Sequence, residues 1–142
     1  MLDQTLLIRI GGILMLGILL AAAMLPAKLN LRQSFAALPV LTRRLVWVHA
    51  GYVTLTITAL GLVALILAPS LTSGDMLGRW VCGFIAIFWG VRVVLRFAVL
   101  HTAEYQTNWF FILGERALTA TFFYNTAVFT WAALAPAGAP GI

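Results

Sequence analysis

Four stretches of the chain, at about 6–25, 45–68, 80–100 and 117–135, are long and apolar enough to cross the roughly 30 Å hydrocarbon layer of a bilayer as helices. Lipid offers backbone amides no partner, so each such stretch must close its own hydrogen bonds. Pro26, Pro39, Pro69, Pro136 and Pro140 all fall outside these windows, as unbroken helical bonding requires. With 63% of its 142 residues apolar and 9% charged, the chain carries more hydrophobic surface than a water-soluble core of this size hides. The expected fold is all-α: one domain, a four-transmembrane-helix bundle spanning residues 1–142.

The first span ends in Ala21, Ala22 and Ala23, a small-residue run like a signal cleavage region. Its start carries Asp3 and a single basic residue, Arg9, where a secretory signal opens with net positive charge. It reads as a retained helix. The connection to span 2 holds Lys28, Arg32, Arg43 and Arg44 and no acid, so the positive-inside rule places it, with residues 101–116, in the cytoplasm and both termini outside. The net charge of +5 is then a topology signal and an attraction to anionic lipid headgroups, and nucleic acid is not an expected partner.

Within that connection, Leu31, Phe35 and Leu38 give "NLRQSFAALP" an apolar face opposite Arg32 and Gln33, with Asn30 as cap and Pro39 as terminator. This pattern fits a short interfacial helix between spans 1 and 2, the alternative being an irregular loop. Thr42 is the expected cap of span 2. Small residues four apart mark candidate helix contacts: Gly17 and Ala21 on span 1; Ala50, Thr54 and Thr58 on span 2; Ala86 and Gly90 on span 3; and Ala117, Thr121 and Asn125 on span 4.

The main functional handle is "WGVRVVLRFAVLH", in which Arg92 and Arg96 interrupt an otherwise apolar run. A charge in hydrocarbon costs at least a few kcal/mol and marks a pathway, a ligand or a partner. If span 3 ends near Leu100, Arg96 lies about 6 Å and Arg92 about 12 Å inside at 1.5 Å of rise per residue. Two polar layers follow from depth: His49, Arg96 and Thr121 in one, Thr54, Arg92 and Asn125 in the other. An earlier frame for the span, about Met76 to Leu95, would instead let the arginines snorkel. Glu115 pairs with Arg96 or Arg92 if span 4 begins at Trp109, and is a surface charge if it begins at Ala117.

Other chemistry is weakly marked. Cys82 stands alone, no catalytic motif is present, and Asp3, Asp75, Glu104 and Glu115 are too scattered for a carboxylate metal bundle. His49 and His101 lie near the ends of different spans, where paired imidazoles could hold haem b or a metal. At 100° per residue, however, His101 points away from the arginine face. No cofactor is expected. The segment "RRLVWVHAGYV" at the start of span 2 resembles that of a small bacterial membrane protein, and the expected location is a bacterial inner (cytoplasmic) membrane.

The expected function is that of a non-catalytic accessory or structural subunit, whose partners are lipids and other membrane subunits or further copies of itself. The alternatives are an oligomer that binds or transports a small anionic solute through Arg92, Thr54 and Asn125, and a haem-binding or metal-binding redox subunit.

Overall fold

The computed structural model describes residues 3–28, 31–98 and 109–135, and every regular element among them is a helix. In chain order these are α1 (Gln4–Lys28), α2 (Leu31–Ala36), α3 (Val40–Ile66), α4 (Ala68–Leu71), α5 (Met76–Ala98) and α6 (Trp109–Leu134). Three helices, over Gln4–Met24, Val40–Ile66 and Met76–Ala98, are long and apolar enough to cross a membrane. α6 has the length, but Thr119, Thr121, Tyr124, Asn125 and Thr126 interrupt its apolar run.

Several boundaries differ from the expected spans. α1 runs through Pro26 to Lys28, and α3 begins at Val40, behind Pro39, with no side-chain cap; Thr42 lies inside the helix and caps nothing. α6 starts at Trp109, eight residues before the expected 117, because Glu115 and Arg116 lie within the helix instead of breaking it. The short helix between the first two long ones is present as α2, where Phe35 meets Trp47 of α3 edge-on at 6.3 Å. The four-residue α4 had no signal in the hydropathy pattern. Pro69 sits in its first turn, where the missing amide is one that no helical partner would use.

The long helices pack as a row, α3 on α1, α1 on α6 and α6 on α5, with α4 touching α1, α3 and α5 at one end. Neighbours in the row run antiparallel. Thr5 and Thr72 share a hydroxyl hydrogen bond of 3.2 Å, and Arg79 Nε donates to the Ala133 carbonyl at 3.0 Å. These contacts put the start of α1, α4, the start of α5 and the end of α6 together at what we term the Asp75 end. Arg79 thereby satisfies a carbonyl at the α6 C-terminus and sets a positive charge against its dipole. Asp75 Oδ1 accepts the Met76 amide at the head of α5, and Gly74 before it takes the left-handed φ of 78° that the turn requires. The opposite Arg96 end carries Arg43, Arg44, Arg92, Arg96, Glu115 and Arg116, so the excess positive charge is concentrated there.

Burial is confined to one end. The buried residues lie between Ile8 and Met15 on α1, Ile57 and Ala64 on α3, Gly78 and Trp89 on α5, and Phe122 and Ala132 on α6, together with Ala68 and Leu71 of α4. Close approach there depends on glycine: a Cβ at Gly12 would come within 2.9 Å of the Gly61 carbonyl, and one at Gly78 within 2.9 Å of the Ser70 carbonyl. Toward the Arg96 end, none of the described residues of α1 beyond Met15, of α3 before Ile57, of α5 beyond Trp89 or of α6 before Phe122 is buried.

Candidate functional site: an arginine at the edge of the core

The contact seam of α5 runs Gly78, Cys82, Ile85, Trp89, Arg92, Arg96, alternating steps of four and three residues, the spacing that holds one stripe of a helix against a neighbour. The two arginines thus continue the apolar stripe facing α6 past the point where burial ends. Arg96 forms an ion pair with Glu115 of α6. Both side chains are partly exposed, so the pair joins the two helices at their open end without carrying the cost of a fully desolvated one.

Arg92 is placed differently. Its guanidinium carbon lies 5.2 Å from the Phe88 ring centroid, 5.6 Å from that of Trp89 and 6.0 Å from that of Phe122. Trp89 and Phe122 are themselves in ring contact at 5.2 Å, so the rings form a floor that closes the core beneath the cation. No described residue gives Arg92 a hydrogen bond or an ion pair. A cation over an aromatic face gains about 0.5–2 kcal/mol, and distances near 6 Å are at its outer limit. The rings therefore offset part of the cost of the charge but leave five N–H donors unmet.

Two buried polar atoms of α5 and α6 are orphaned, one of them on the floor's own Trp89. Trp89 and Asn125 are both 0% exposed, and neither Trp89 Nε1 nor Asn125 Oδ1 has a hydrogen-bond partner among the described residues. The other end of the Asn125 amide donates to the Thr121 carbonyl at 3.0 Å. Gly11 of α1 makes room for Oδ1: a Cβ there would stand 2.8 Å from it. One position before Asn125, the Tyr124 hydroxyl donates to the Leu7 carbonyl at 3.1 Å and ties α6 to α1.

Of the residues in the two expected polar layers, the structure brings Arg92, Arg96, Thr121 and Asn125 to the α5–α6 side of the fold, together with the expected ion-pair candidate Glu115. It does not bring His49 or Thr54 there. Both are exposed on α3, which packs on α1 and α4. Depth along a helix fixes a residue's level but not its neighbour, and α1 and α6 stand between α3 and the arginines. Thr121 is also less available than its position implies, because its hydroxyl donates to the Ala117 carbonyl one turn back. Thr56, Thr58, Thr119 and Thr126 bond their own helices in the same way.

The small-residue stripes divide likewise. Ala86 is buried and Gly90 faces Thr126, so that pair does lie on the α5–α6 contact. Gly17, Ala21 and Ala50 are exposed and Thr58 is half-buried; the close helix approaches fall instead at Gly11, Gly12, Gly61 and Gly78. Neither the aromatic floor nor the tie from Tyr124 to α1 was read from the sequence. The floor had a signal, since Phe88 and Trp89 stand four and three residues before Arg92, where a helix brings side chains together.

Cys82 is buried at the Asp75 end. Among the described residues no three His, Cys, Asp or Glu side chains gather as a metal site requires. His101 lies outside the described residues, as do Asn30 and Glu104. A cleft of about 260 Å³ beside the ion pair is lined by Arg96, Ile112, Glu115, Arg116 and Thr119. The chain matches no family model, no curated protein and no solved structure.

Proposed function

We propose that this chain is an accessory or structural subunit of a larger membrane assembly, inserted through α1, α3, α5 and α6 with the Arg96 end in the cytoplasm and both termini outside. A bacterial inner membrane is the compartment that this reading favours. α6 serves as the fourth crossing despite its polar residues, because the hydroxyls of Thr119, Thr121 and Thr126 are bonded within the helix and present no unmet donor to lipid. Orientation rests on Arg43, Arg44, Arg96 and Arg116 at one end, against Asp3, Asp75, Arg9 and Arg79, which cancel, at the other.

The observation that carries the subunit reading is on α3. Every residue from Arg44 to Tyr52 is exposed, more than two full turns against which the described helices place only the Phe35 ring of α2, at Trp47. Lipid satisfies Leu45, Val46 and Val48. It offers nothing to His49 or to Tyr52, which is 68% exposed, and polar groups at such a level are met by the polar side chains of another helix.

The test is the mass of the protein extracted from its native membrane in mild detergent. An assembly of fixed stoichiometry, well above the 15.4 kDa of one chain, is expected, and a single chain persisting in both detergent and lipid nanodiscs overturns the reading. Single cysteines at positions 28 and 75 in a Cys82→Ala background test the orientation, with position 75 labelled from outside and position 28 protected.

A further inference from the structure

The direction of the Arg92 side chain decides what its partner is. Phe88 and Trp89, over which the guanidinium lies, precede it by four and three residues, so the side chain leans toward the N-terminus of α5 and away from the Arg96 end. Arg92 is six residues, or about 9 Å, from the Ala98 end of the helix at 1.5 Å per residue, and the lean carries its charge further from that end. A snorkelling arginine would extend the other way, toward headgroups at the nearer surface.

The acids among the described residues do not answer this charge. Asp3 and Asp75 are at the opposite end of the fold, and Glu115 is paired with Arg96. A second copy in the same orientation would bring its carboxylates to those same levels. The surface beside Arg92 is apolar and open: Val91 and Leu95 are about half exposed, and with the half-buried Phe88 they form one strip at spacings of three and four residues.

We propose that the strip Phe88, Val91, Arg92, Leu95 receives a membrane helix of a different protein, one that presents an aspartate or glutamate at the level of the Phe88 and Trp89 rings. A carboxylate there accepts two parallel N–H bonds from the guanidinium and removes the net charge, while the aromatic floor shields the pair from competing water. This rests on the subunit reading above and names the chemistry of the partner.

The experiment uses the intact assembly. With a photo-crosslinking phenylalanine analogue at Leu95 and Arg92 unchanged, the captured peptide is expected to be a heterologous membrane helix with an intramembrane acid. Arg92→Leu is expected to lower recovery of the assembly at least about tenfold, with Arg92→Lys retaining most of it. Neutralising the partner's acid should add little to Arg92→Leu, the signature of one shared interaction. Protection of Cys82 from a membrane-permeant maleimide reports that the chain is still folded; if Arg92→Leu exposes it, the captured segment decides the matter. Crosslinks to lipid, to a second copy or to an acid-free helix overturn the proposal, as does full assembly of Arg92→Leu or rescue of that variant by chloride or phosphate. A wild-type chain that never assembles overturns the subunit reading, whereas an assembly indifferent to Arg92 overturns only the role assigned to this residue.

Discussion

The same four long helices form a close-packed body at the Asp75 end, whereas none of their described residues is buried at the Arg96 end, and small residues alone do not account for the contrast. Glycines occur at both. At Gly12 and Gly78 a single added carbon would press on the backbone of another segment, whereas one added at Gly17, Gly51 or Gly114 would meet nothing outside its own helix backbone within 4 Å. Small residues permit close approach between helices but do not cause it. The difference lies in what surrounds them: Trp89, Phe122 and Phe129 fill the space between helices at one end, and α4 closes it off. At the other end, large apolar side chains such as Leu20, Leu41 and Leu45 point outward.

The largest expected effect is that of Trp89→Ala, which opens a cavity in the aromatic floor and should cost about 3–5 kcal/mol in a reversible detergent unfolding titration. A loss below about 1 kcal/mol would show that the Asp75 end is not a cohesive core. Next comes a matched pair of glycine substitutions. Gly12→Ala forces carbon against the Gly61 carbonyl and Leu65 and should destabilise by about 1–3 kcal/mol. Gly17→Ala fills open space and should be neutral or stabilising by up to about 1 kcal/mol through helix propensity. Equal effects in the same assay would erase the distinction between the ends. The smallest is Glu115→Gln, which leaves Arg96 partly exposed and able to reach water, and should cost about 1 kcal/mol, falling as salt is raised.

The helices were legible because lipid-compatible length and apolarity are one-dimensional properties. The start of α6 was left between Trp109 and Ala117, because Glu115 and Arg116 look like an interruption until Arg96 is seen to neutralise one of them. The order of helices in the row was hidden as well: apolar residues are spread around α1, α3 and α6 with little bias to one face, so no apolar stripe announces a neighbour. His49 and Thr54 were therefore placed by depth with arginines from which α1 and α6 separate them. The arginines were found because charge is rare here, and their partners followed where spacing was local, as with Phe88 and Trp89. Contacts across the fold, such as that of Tyr124 with Leu7, left no trace in the pattern.

The turn between α4 and α5 has a consequence for biogenesis. Only Thr72, Ser73, Gly74 and Asp75 separate the two helices, and Gly78 seats the first turn of α5 directly on Ser70 and Leu71. For a chain inserted as proposed, α3 and α5 cannot choose their orientations separately; they reach the insertion machinery as a single hairpin. Arg43 and Arg44, retained on the near side at the head of α3, then orient both, and reversing those two charges would invert the hairpin as a unit.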